Sequence, residues 1–386
     1  PLSLGCLWDH DTLAVERSAF PSVHEIIVGH FPYHSDAFYR WRISDRQAKL
    51  ETTPDDPSLV DDLVVAHDKL GDHAEAARLA RQQLVTHPDR YETLANLGTI
   101  LIHAGDYEAG LGHLRRALEI NPDAHFGRER YQVALVEYML RQRARQDETA
   151  DSELTLPLQK RPGSDDKWPP DDFHHFLVER GFTTASTSSA ADRQHAISGI
   201  LGMMRFGSHD HPVLLEALGD LLAPADVLAG DAKRLAARCY LRAAGACEVA
   251  TGQRAYRALA ERALRMQTAG SGGDQIALQV IEARLQAERR KAERYIASVH
   301  QQEHRWIEAG EPVDALFQAT YLSDAHESAL VPTDSETGLG SYERPVPFMT
   351  ATIFIGGGLL SIVIFLVFRH RHRHRHQAHQ HRRRRT

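Results

Sequence analysis

The sequence predicts an all-α protein of stacked helical hairpins with a single C-terminal membrane span. Three observations predict it: matched features recurring every 34 residues, a composition poor in aromatics, and an uninterrupted apolar run at Val346–Phe368. Aromatics make up 7% of the 386 residues, while Ala, Leu and Arg, all strong helix formers, recur densely. Hydrophobic residues at 42% and charged residues at 25% exclude wholesale disorder and a collagen-like chain. The net charge of −7 is uneven. Eight arginines and no acid stand in residues 369–386, which leaves −15 on residues 1–368. Three cysteines exclude a disulfide scaffold. Cys239 and Cys247 are separated by roughly 12 Å along a helix axis, beyond disulfide reach unless the helix breaks at Gly245.

Residues 1–53 are read as an N-terminal segment whose helix, Ala37–Glu51, is the second half of a degenerate repeat ending at Pro54. Pro54-Asp55, Pro88-Asp89 and Pro122-Asp123 then recur at intervals of 34, as do Gly71 and Gly105. Tyr91–Pro122 reads Leu94-x2-Leu97-Gly98-x2-Leu101, Gly105-Asp106-Tyr107, Gly110-x3-Leu114-x2-Ala117-x4-Pro122. Pro57–Pro88 follows it with Val60-x2-Leu63-x3-His67, Gly71-Asp72-His73 and Ala76-x3-Ala80. Small residues at Ala76, Gly98, Gly110 and Ala117 let paired helices approach, and Gly71 and Gly105 permit the tight turn between them. Each proline closes the second helix of its pair.

The pattern resembles the tetratricopeptide repeat (TPR) family, whose unit is a pair of antiparallel helices. Residues 54–146 are assigned to it. Two repeats bury too little alone, and Phe126–Arg145 supplies a capping helix through Val133, Leu135, Val136, Met139 and Leu140. The opening residues, Cys6–Leu13 with Phe20-Pro21 and His34–Arg46, are similar to exported bacterial TPR proteins with no assigned activity. That likeness implies an envelope location and the repeat fold, and no reaction.

Residues 147–191, rich in Ser, Thr, Asp and Pro, read as a flexible linker with one short helix near Phe173–Arg180. Residues 192–322 read as a second helical, TPR-like region. It opens with His195–Phe206. Leu215-x2-Leu218-Gly219-x2-Leu222 and Ala236-x3-Tyr240-x2-Ala243 then resemble the two halves of another repeat. Ala255–Met266 and a long helix at Asp274–Ala309 follow, the latter with a charged face read as solvated or as a coiled-coil surface.

Residues 323–345 form a polar stalk, and 346–368 a transmembrane helix about 34 Å long, enough for a hydrocarbon core of roughly 30 Å. The run of arginines lies on its C-terminal side, while the preceding Asp334–Arg344 is mixed and slightly acidic. The positive-inside rule therefore places the His/Arg-rich tail, 369–386, in the cytoplasm and the preceding ectodomain in the periplasm. This topology calls for an export signal, and Gly5-Cys6 faintly suggests a lipoprotein cleavage site.

No phosphate-binding glycine loop, nucleophile elbow, zinc-protease helix or CxxC motif is present. No catalytic residue, metal or cofactor is expected. Asp9-His10-Asp11 is read as a surface or capping group, and Cys239, weighed as a nucleophile with His209 or His211, as a buried thiol. The chemistry is expected instead in a protein-binding groove lined by Asp61, Val65, Asp68, Lys69, Ala95, Asn96, Thr99, Ile102, His103 and Arg130. A subset of the TPR family grips a C-terminal carboxylate, and the resemblance carries over only Asn96 and Arg130: Asp61, Val65 and Phe126 stand at the other places, and Asp61 would repel such a ligand. A helical or basic segment suits the groove better, unless the chain's own N-terminal segment fills it.

The expected function is that of a membrane-anchored scaffold or accessory subunit in a bacterial envelope complex. Its partners are other envelope proteins and membrane lipids, with no nucleic acid. The alternatives are an enzyme that recruits substrate through the repeats, and metal or anionic-lipid binding by the tail.

Overall fold

The computed structural model describes residues 7–9, 21–122, 127–146, 155–158, 172–182, 190–223, 230–271 and 276–322. Fourteen helices and no strand are found among them. The expected stalk, span and tail lie outside the described residues, as do Cys6, His10 and Asp11. Among the described residues no helix is long and apolar enough to cross a membrane.

Helix α1 (Val23–Val28) opens on a capping box. The Ser22 hydroxyl accepts from the Glu25 amide, and the Glu25 carboxylate accepts from the Ser22 amide in return. Helix α2 (Asp36–Thr52) is capped by Ser35. Two hairpins follow, α3 (Pro57–Lys69) with α4 (His73–Thr86), and α5 (Tyr91–His103) with α6 (Tyr107–Ile120). Their turns carry the same hydrogen bonds. The amides of Gly71 and Asp72 donate to the carbonyls of Asp68 and His67, and those of Gly105 and Asp106 donate to Ile102 and Leu101. Gly71 and Gly105 adopt φ +83° and +86°, a left-handed conformation that side chains disfavour. Asp72 and Asp106 then cap the second helices.

Small residues set the helix spacing. A Cβ on Gly98 would stand 2.9 Å from the Gly110 carbonyl oxygen, and one on Gly110 2.7 Å from that of Gly98. These two glycines are equidistant from Ala104 in the turn, so α5 and α6 run antiparallel with their backbones touching. The core between the hairpins gathers Val64, Val65, Ala76, Ala77, Ala80, Leu97, Ile100 and Leu101. Each larger side chain there contributes roughly 1.5–3 kcal/mol on leaving water.

Helices α7 (Arg128–Gln146), α8 (Phe173–Glu179), α9 (Ala190–Phe206), α10 (Pro212–Leu222), α11 (Gly230–Ala246) and α12 (Ala250–Ser271) continue the stack. Within the stretch read as a linker, Leu158, Phe173 and Phe176 are buried. Acids of α10 hold this stretch down. Glu216 accepts the Leu158 amide at 3.0 Å and the Tyr256 hydroxyl at 2.7 Å. Asp220 accepts the Phe173 amide at 3.0 Å and the Tyr240 hydroxyl at 2.8 Å. Burial, reinforced by Asp172 and Glu216, pushes the Asp220 carboxyl well above the usual range.

The stack then turns back on its own beginning. Helix α13 (Leu278–Glu308) packs on α1 and α2 as well as on α11 and α12, and α14 (Val313–Tyr321) packs on α13. The wholly buried Glu303 of α13 takes His34 Nδ1 at 2.5 Å and the Ser35 amide at 2.9 Å. Asp314 of α14 bridges two buried arginines of α2, Arg42 at 2.8 Å and Arg46 at 2.6 Å. Helices from the far end of the chain therefore close on α1 and α2, and α2 in turn packs on α3 of the first hairpin.

Candidate functional site

The expected groove lies on α3 and α5, the first helices of the two hairpins, which pack on each other. Residues 7–9 lie against it. Leu7 is buried among Val64, Val65, Leu97, Ile100 and Leu101. The side-chain amide of Asn96 brackets the main chain of Trp8: its Oδ1 accepts the Trp8 N–H at 2.6 Å, and its Nδ2 donates to the Trp8 carbonyl at 2.9 Å. The Trp8 ring meets Tyr91 edge-on, with centroids 6.0 Å apart. Asp9 accepts from Arg42 at 2.8 Å, whose guanidinium also lies 4.3 Å above the Phe38 ring. The groove thus contacts one short segment through an apolar anchor, a main-chain bracket and a charge pair. Only the bracket is indifferent to side-chain identity.

The structure divides the ten expected residues. Asn96 touches the segment directly, and Val65 shares a core cluster with Leu7. Thr99, deep on the same helix, accepts from Gln132 Nε2 of α7 at 2.9 Å. Asp68 and His103 pair with each other, His103 Nδ1 standing 3.0 Å from the carboxylate, and His73 Nδ1 joins them at 2.8 Å. Against the upward push of burial, His103 and His73 hold the Asp68 carboxyl well below the usual carboxylate range. Lys69 donates to the main-chain carbonyls of Phe206 and Gly207, and burial lowers its ammonium pKa.

The other four face elsewhere. Asp61 is a joint between hairpins: it accepts from Arg90 at 2.7 Å, Thr93 at 2.8 Å and Gln83 at 3.0 Å. Burial pushes its carboxyl up to about 7 despite Arg90 and Thr93. Ala95 packs with Leu94, Tyr91 and Ala117. Ile102 lies where a Cβ on Gly110 would approach within 2.7 Å. Arg130 is exposed, its guanidinium 5.2 Å from the rings of both Tyr131 and Phe182.

Sequence reasoning passed over Arg42 and His73 as site residues, but it allowed for the chain's own N-terminal segment in the groove, and Leu7–Asp9 is the segment found there. The signals were present: Arg42 lies one helical turn from Phe38, and His73 follows the turn glycine of the first repeat. The repeat pattern marks His73 only as the residue equivalent to Tyr107 and does not mark Arg42. Of the groups weighed as catalytic, Cys239 is fully buried, which pushes its thiol well above the ordinary value and favours the neutral form. His209 and His211 are both drawn down to about 3, burial being the main cause. His211 caps α10, its Nδ1 accepting the Val213 amide at 3.1 Å.

No protein-family model matches the chain, and no curated protein matches it.

Proposed function

We propose that the chain is a membrane-anchored protein of TPR type that holds another polypeptide, as a scaffold or accessory subunit of a bacterial cell-envelope complex, and performs no catalysis. The observation that carries this reading is the Asn96 bracket on the main chain of Trp8. One side-chain amide that takes both the N–H and the C=O of a single residue grips any extended peptide whatever its side chains. The apolar positions beside it, Val65 and Leu97, and Arg42 at its end select the residues on either side. Anchoring rests on the sequence alone: the apolar run at 346–368 and the arginines that follow it.

The test is crosslinking with mass spectrometry in native membranes, on the wild type and on Asn96→Ala. The expected result is a second protein crosslinked to α3 or α5 in the wild type and at least about tenfold less in the variant, the equivalent of one lost bracket worth about 1.4 kcal/mol. A protein that runs alone as a monomer in both forms overturns the reading.

A further inference from the structure

Three side chains from three helix ends meet beside the turn at Gly71. Asp68 lies in the last turn of α3, His73 opens α4, and His103 closes α5. His73 Nδ1 stands 2.8 Å from one Asp68 oxygen, and His103 Nδ1 stands 3.0 Å from each of the two. All three donor atoms fall within 4.8 Å of one another. The side chains of Asp68 and His103 are wholly buried, whereas that of His73 is 17% exposed, giving the cluster one edge toward solvent.

We propose that Asp68, His73 and His103 form a site for a divalent ion of the zinc class. Two imidazoles and one carboxylate are the donor set of three-ligand zinc centres, which leave a fourth position for water. Zinc binds nitrogen and oxygen at about 2.0–2.2 Å, so neighbouring donors of a tetrahedral site stand about 3.3 Å apart. The two imidazole-to-carboxylate spacings are tighter by only a few tenths of an ångström, an opening that rotation of the imidazoles supplies, and the ligand atoms of the two imidazoles lie within 4.8 Å of each other. The three residues stand on helix termini fixed by the Gly71 and Gly105 turns, so the donors are held before any ion arrives. The ammonium of Lys69, beside Asp68 in sequence, is directed to the carbonyls of Phe206 and Gly207. The site is incomplete in one respect. His73 Nε2 is buried without a hydrogen-bond partner, and an outer partner at that nitrogen ordinarily strengthens a metal site about 10–100-fold. The affinity is expected in the micromolar range.

The experiment uses the full chain with Zn2+ and with Co2+ as a coloured probe. The tail histidines between His370 and His381 are a competing sink for metal, so the readouts are the thermal unfolding midpoint and the visible Co2+ spectrum, not bound metal alone. At 100-fold excess of metal over the dissociation constant, the midpoint is expected to rise by about 5 °C. The rise should persist when the tail histidines are changed to Gln. His73→Gln, at the partly exposed edge, should abolish it and weaken Co2+ binding by about 100-fold, and Asp68→Asn should do the same. An equal rise in the wild type and His73→Gln, or no rise and no tetrahedral Co2+ absorption in any form, identifies a hydrogen-bonded triad only and overturns the proposal.

Discussion

The buried His211 offers a quantitative handle on the packing at the start of α10. It caps α10 through Nδ1, and Pro212 occupies the first helical position. Burial draws its pKa from 6.5 to about 3. The folded state therefore keeps the ring neutral where the unfolded chain protonates it. Between those two values the unfolded state binds more protons, so stability is fully present above pH 6.5 and is lost as pH falls toward 3. At pH 5 the loss from this one residue is about 2 kcal/mol relative to pH 8. That figure is insensitive to the folded value: raising it to 4 changes the loss by less than about 0.1 kcal/mol. His211→Asn supplies the perturbation, because Asn is among the best N-caps and does not titrate. The lost ring packing shifts stability equally at both pH values and cancels. Urea unfolding of wild type and variant at pH 8 and pH 5 gives the double difference, expected to be about 2 kcal/mol. A double difference below about 0.5 kcal/mol would mean that water reaches His211 and that the start of α10 is not buried as described.

Two further outcomes follow from the packing. Gly98→Ala places a Cβ 2.8 Å from Leu114 Cγ and 2.9 Å from the Gly110 carbonyl; it should destabilise by about 1–3 kcal/mol in chemical denaturation, and a change within 0.5 kcal/mol would contradict the backbone contact of α5 with α6. Asp314→Asn removes the carboxylate shared by Arg42 and Arg46, of which Arg42 keeps Asp9 and Arg46 keeps Asp62 and Asp45; because each arginine retains at least one acid, the cost should be about 2 kcal/mol instead of the 3–5 kcal/mol of a fully stranded buried charge, with faster amide exchange in α14 as its signature.

The helices were legible because their signals are local. Ala37–Glu51 is found as Asp36–Thr52, Phe126–Arg145 as Arg128–Gln146, and Asp274–Ala309 as Leu278–Glu308. Periodicity, capping residues and turn glycines act over a few residues, and the 34-residue interval repeats the same local signals. The site was legible only in part, because its decisive contacts join distant segments. Lys69 reads as groove lining by position but bonds the carbonyl of Phe206, 137 residues away. Asp314, which no local signal singles out, pairs with two arginines of α2. Val65 and Ile102 both sit on first helices, and a shift of position within the helical turn decides that one joins the core cluster of Leu7 while the other meets α6. A pattern that gives the interval between repeats does not give the rotation of each helix about its axis.

On the proposed reading, the contact of Leu7–Asp9 with the groove sets the terms for any partner. A segment of the same chain is present at an effective concentration of order millimolar. If it holds the groove with an intrinsic dissociation constant near 10 μM, an external peptide sees the groove free about 1% of the time, and its apparent affinity falls about 100-fold. A partner can offset that factor with its own anchor at the Leu7 position, a second contact elsewhere on the chain, or confinement to the same membrane. Removing the resident anchor by Leu7→Ser should therefore tighten partner binding while lowering the stability of the folded chain. A variant that only lost stability, with no gain in binding, would show that Leu7–Asp9 is part of the core and not an occupant of the groove.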